Sequence, residues 1–65
     1  MNSREIIRKL IDDGWFKVAR RGSHVQFKYG QKKGRVTMPH PKKEDLPMGT
    51  VRSVYRQAGW PLRGD

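Results

Sequence analysis

Residues 20–28, Arg-Arg-Gly-Ser-His-Val-Gln-Phe-Lys, set a histidine behind two arginines, a glycine and a serine, at the head of an alternating apolar and polar run. Imidazole is the side chain best suited to moving a proton near neutral pH. Arg20, Arg21 and Lys28 surround His24 with positive charge, which gathers phosphates. A neutral imidazole beside a bound RNA strand can take the proton of a ribose 2′-hydroxyl. The 2′ oxygen then attacks the adjacent phosphate, and a lysine or arginine offsets the charge that builds there. A positioned general base contributes about 10²–10⁴ in rate. DNA, which lacks that hydroxyl, is immune to such chemistry. An exposed histidine after a turn is more often just an ordinary strand residue. Gly22 can supply a positive φ, Ser23 can bond the turn backbone, and both can offer N–H groups to a phosphate.

Other chemistries find fewer residues. With no cysteine in the chain, disulfides, thiolate metal sites and thiol nucleophiles are excluded. Glu5, Asp12, Asp13, Glu44, Asp45 and Asp65 sit at the ends of elements far apart in sequence, and none pairs with a histidine at metal-ligand spacing. No metal and no small-molecule cofactor is therefore expected. Asp12 and Asp13, next to Gly14, read as solvation of a helix end. His40, between Pro39 and Pro41, is either a surface residue in a rigid connector or a support beside the RNA. Trp15 is a candidate for stacking on a base, or an anchor at the core edge. Arg52, Arg56 and Gln57 either extend a basic track or simply solvate a helix.

The chain of 65 residues has room for one domain and a modest core. Its net charge is +9, unevenly spread: Lys17, Arg20, Arg21, Lys28, Lys32, Lys33, Arg35, Lys42 and Lys43 fall between Gly14 and Lys43 with no acid among them. Such a one-signed stretch points to a polyanion, most often nucleic acid. A membrane surface fits less well, because no strongly amphipathic basic helix accompanies the charge. The opening residues MNSREIIRKLIDDG carry charges every few positions, unlike a signal peptide or a membrane span, and a cytoplasmic address is expected.

Five elements must position these groups. Ser3 as cap, Glu5 in the first turn and the stripe Ile6, Ile7, Leu10, Ile11 predict a helix that Gly14 ends. WFKVAR (15–20) reads as a strand with Phe16 and Val18 inward and Trp15, Lys17 and Ala19 outward. Arg21, Gly22 and Ser23 form a tight turn. HVQFKY (24–29) follows with Val25, Phe27 and Tyr29 inward and His24, Gln26 and Lys28 outward, on a face shared with Lys17. After a hairpin loop at 30–34, RVTM (35–38) turns Val36 and Met38 inward and Pro39 stops the ladder. A connector over 39–49, pinned by Leu46, leads to a helix capped by Thr50. That helix carries Val51, Val54, Tyr55 and Ala58 on one face and closes at Gly59. Residues 61–65 read as a frayed tail. The order α-β-β-β-α predicts an α+β fold, a three-stranded antiparallel meander with both helices on its apolar face.

Gly22-Ser23-His24 with the alternating run, then VTMPHPKKEDLP, then GTVRSVYRQAG, resembles the HicA toxins of bacterial toxin–antitoxin systems over residues 3 to about 60. The resemblance implies a double-stranded-RNA-binding-domain-like fold and an endoribonuclease acting on messenger RNA. It also implies that His24 is the catalytic residue and that a HicB-type antitoxin is the protein partner. On this reading Arg20, Arg21, Gly22, Ser23 and Lys28 hold the substrate. A non-catalytic RNA-binding module of the same fold is the alternative. A DNA-binding regulator is weaker, since no helix-turn-helix spacing is present.

Overall fold

The computed structural model describes residues 1–31, 34–40 and 45–61. Loop lysines 32 and 33, connector residues 41–44 and the tail from 62 lie outside the described residues. Five elements follow in order: α1 (Ser3–Asp13), β1 (Phe16–Arg21), β2 (His24–Lys28), β3 (Arg35–Pro39) and α2 (Met48–Ala58).

The cap of α1 lies one residue before the predicted one. The Asn2 side chain accepts the Glu5 N–H at 2.9 Å while Glu5 Oε1 accepts the Asn2 N–H at 2.8 Å, a reciprocal capping box. Ser3 is instead the first helical residue and is buried. Ile6 and Leu10 enter the core, but Ile11 is 57% exposed. It lies roughly 140° around the helix from Ile6, beyond the width of the packed stripe. Helix α2 also starts earlier than predicted: Val51 N–H bonds the Pro47 carbonyl at 3.1 Å, so Thr50 is inside the helix and caps nothing.

The sheet has the antiparallel order β1-β2-β3. Its inner face, through Val25, Phe27, Val36 and Met38, packs on Ile6 and Leu10 of α1 and on Val54 and Ala58 of α2, with Trp15 and Leu46 closing the sides. Leu46 pins the connector as expected. The outer edge of β3 is covered by one side chain of α2: Gln57 Oε1 accepts the Thr37 N–H at 3.0 Å and its Nε2 donates to the Thr37 carbonyl at 3.4 Å. That contact occupies a rung otherwise open to another strand. No helix among the described residues is long and apolar enough to cross a membrane.

The predicted faces of β1 are overturned. Trp15 is 2% exposed and belongs to the core, whereas Phe16 is 52% exposed and Val18 also faces solvent. The cause is a β-bulge: the register with β2 runs Phe16↔Lys28, Lys17↔Phe27, then Ala19↔Gln26, leaving Val18 as an extra residue. One inserted residue inverts every side chain upstream of it. Trp15 thus turns inward, Phe16 outward, and Lys17 away from the face that carries His24.

Candidate active site

Arg21 pairs with His24, so Gly22 and Ser23 form a two-residue hairpin loop. Gly22 has φ 56° and, among the described residues, no non-glycine residue has a positive φ, Ser23 included. A loop with positive φ only at its first position matches the type II′ turn, whose first position favours glycine. A Cβ at Gly22 would meet nothing within 4 Å, so backbone conformation rather than space selects the glycine. The turn is tied from a second side, because the His40 N–H donates to the Ser23 carbonyl at 2.7 Å.

His24 opens β2 and is exposed. Because it alternates with buried Val25, it projects from the outer face of the sheet, which neither helix covers. Its cross-strand neighbours are Arg21 on β1 and Pro39 on β3. Directly opposite residues hold their Cβ atoms about 4.5–5.5 Å apart, so the Arg21 and His24 side chains rise together.

The two arginines that the sequence treated alike separate here. Arg20 lies opposite Val25, on the other face, and its Nε donates to the Gly22 carbonyl at 3.1 Å. It braces the turn, and Arg21 is the one beside His24. Lys28 shares the face of His24 four residues further along β2, roughly 13 Å away. Arg35, opposite Lys28, also belongs to that face, and its Nη1 donates to Gln26 Oε1 at 2.7 Å. Arg35 stands in the basic stretch of the sequence but outside its predicted site; the register opposite Lys28 is what adds it to this face. The face reads Phe16, Ala19, Arg21, His24, Gln26, Lys28, Arg35, Thr37 and Pro39. None is acidic.

His40 is half-buried, with Nδ1 3.0 Å from Oγ of buried Ser3 in α1. Its ring faces the helical side, apart from His24, while its backbone holds the turn. Asp13, read as helix-end solvation, accepts hydrogen bonds from both tryptophans: Trp15 Nε1 at 3.0 Å and Trp60 Nε1 at 2.8 Å. Trp15 is therefore a core residue and not a base-stacking one. Among the described residues, no three His, Asp or Glu side chains are grouped as a metal ion would need. A shallow depression of about 560 Å³ lies elsewhere, along α1 and Trp60, and its walls mix acids with bases.

Residues 3–60 match the family described as the HicA toxin of bacterial toxin-antitoxin systems. The chain belongs to the HicA toxin family. No curated protein matches the sequence significantly. Among solved structures, it is similar to a chain of the "HicA3 and HicB3 toxin-antitoxin complex", with a TM-score of 0.79 and 31% identity over 97% of this chain and 100% of that one. This HicA-family chain shares with that neighbour the α-β-β-β-α order and an open sheet, as its sequence predicted. It is thus the toxin type of a toxin–antitoxin pair.

Proposed function

We propose that this HicA-family toxin is an endoribonuclease that cuts messenger RNA through His24 without a metal ion. A HicB-type antitoxin silences it by covering the basic outer face. The observation that carries the reading is the placement of His24. It is an exposed imidazole at the head of a strand, set by a two-residue turn and flanked by Arg21 on a face without acids.

In this reaction His24 takes the proton from a ribose 2′-hydroxyl. The 2′ oxygen bonds to the neighbouring phosphorus, the bond from phosphorus to the 5′ oxygen breaks, and that oxygen takes a proton from solvent water, whose hydroxide is neutralised by the proton that His24 took up. The products are a 2′,3′-cyclic phosphate and a free 5′-hydroxyl. Arg21 stands where charge gathers on the phosphorane, and Lys28 holds the strand further along. Arg20 keeps the turn in place through the Gly22 carbonyl. Gly22 and Ser23 shape the turn so that His24 begins the strand. The HicA3 structure was solved with HicB3; a partner with an acidic surface would meet Arg21, Lys28 and Arg35 together.

The test is cleavage of single-stranded RNA in excess EDTA by the wild type and by His24→Ala. The wild type is expected to cut, leaving cyclic phosphate ends, while the variant binds equally and does not cut. If both bind and neither cuts, catalysis is refuted and an RNA-binding module remains. If EDTA stops the wild type and magnesium restores it, the metal-free mechanism is wrong.

A further inference from the structure

A lone exposed phenylalanine is ordinary on a protein surface. Phe16 is not alone. The register sets it directly opposite Lys28, and Lys28 directly opposite Arg35, so the three form one row across all three strands on the outer face. With strands about 4.8 Å apart the row spans roughly 10 Å. An aromatic ring lies at one end, and two cations lie at the middle and the far end.

Two features of this row point to a ligand. Like charges directly opposite each other destabilise an antiparallel pair, so Lys28 facing Arg35 is unfavourable in the free protein and is relieved by an anion between them. The Arg35 guanidinium is also held ready, since its Nη1 donates to Gln26 Oε1 at 2.7 Å. A flat apolar ring beside paired cations matches a nucleotide, which offers a base face and a phosphate. Aromatic side chains on open sheets stack unpaired bases in this way, whereas a duplex hides its base faces.

We propose that Phe16, Lys28 and Arg35 form a nucleotide subsite in which Phe16 stacks on one base of a single RNA strand and sets the strand's register relative to His24. This rests on the ribonuclease reading above. The row lies four residues along β2 from His24, roughly 13 Å, so it holds a nucleotide flanking the cleaved bond. Phe16 is a positioning residue and touches no reacting atom.

The experiment measures binding of a single-stranded 2′-O-methyl RNA, which lacks the nucleophilic hydroxyl and stays intact. Phe16→Ala is expected to weaken binding about 5- to 150-fold, the loss of one base–aromatic stack, with an unchanged salt slope. Lys28→Ala and Arg35→Ala should each reduce that slope by about 0.7. Phe16→Trp should retain affinity, which separates stacking from misfolding. An abasic nucleotide moved along the RNA should weaken the wild type at one position and cost Phe16→Ala nothing there. The subsite is refuted if Phe16→Ala binds within twofold of the wild type, or if it weakens only antitoxin binding, which would make Phe16 a protein anchor. Absence of wild-type binding refutes it as well. Failure of the ribonuclease reading looks different: the wild type would leave unmodified RNA of the same sequence uncut, whatever Phe16→Ala does.

Discussion

Replacing Gly22 with alanine tests the turn that presents His24. The φ of 56° at Gly22 is a conformation in which an L-residue crowds its own backbone, at a cost of roughly 1–2 kcal/mol. A Cβ there meets nothing within 4 Å, so no packing gain or clash obscures that figure. For a domain of this size, 1 kcal/mol moves the melting midpoint by about 4–8 °C. Gly22→Ala should therefore melt about 5–15 °C below the wild type. D-alanine at position 22, introduced by chemical synthesis, carries the same atoms with the chirality that positive φ favours. It should match or exceed the wild type, because it restricts the unfolded chain by about 0.4–1 kcal/mol.

The same pair of variants reads out catalysis. If the L-residue relaxes the turn, His24 shifts at the head of β2, and a misplacement of about 1 Å can cost 10²-fold in rate. RNA cleavage assayed well below both midpoints should fall at least about tenfold in Gly22→Ala and be kept with D-alanine. Equal melting midpoints for the wild type and the L-variant would refute the conformational requirement. Equal loss with both alanines would show that the added methyl, and not the backbone, is responsible.

Asp13→Ala removes the acceptor for two indole N–H groups. Both indoles lose this carboxylate acceptor, and half-buried Trp60 regains one from solvent, so a loss of about 1–2 kcal/mol is expected in urea unfolding, and less than about 0.5 kcal/mol would refute it. Gln57→Ala uncovers the edge of β3 and should cost about 1 kcal/mol, with faster hydrogen exchange at the Thr37 amide; unchanged exchange there would show that the side chain does not guard the edge.

Element order and most of the core were legible because hydrophobic period alone separates the helices from the strands. The stripe Ile6, Leu10 and the alternation Val25, Phe27, Val36, Met38 place themselves. Boundaries were harder, since adjacent residues compete as caps. Asn2 and Ser3 can both cap, and only the three-residue spacing from Asn2 to Glu5 selects the first. Of the site, His24 and its exposed face followed from parity. The split between Arg20 and Arg21 was also available, because neighbours on a strand take opposite faces once the loop is counted as two residues. The faces of Trp15 and Phe16 were not legible. Counting back from the Arg21–His24 pair by strict alternation puts Phe16 inside, and no residue type announces that Val18 is an extra one.

That insertion decides what kind of surface the sheet presents. Between Trp15 and Phe16 the fold must choose one aromatic for the core and leave the other outside. A buried tryptophan needs an acceptor for its N–H, and Asp13 at the end of α1 supplies it; a phenylalanine needs none and can stand on an open face without leaving a polar group unpaired. The bulge therefore satisfies the core with the larger ring and places the apolar one in line with Lys28 and Arg35, while Arg21 keeps its station beside His24. A domain of 65 residues has little apolar burial to spare. Leaving one whole sheet face bare, with cation facing cation, works against stability in the free chain. A polyanion lying across the face offsets the like charges, and by binding only the folded form it stabilises the structure as well. The regular parts of this fold build the core, and its departures from regularity, the Val18 bulge and the positive φ at Gly22, arrange the face where the chemistry is proposed.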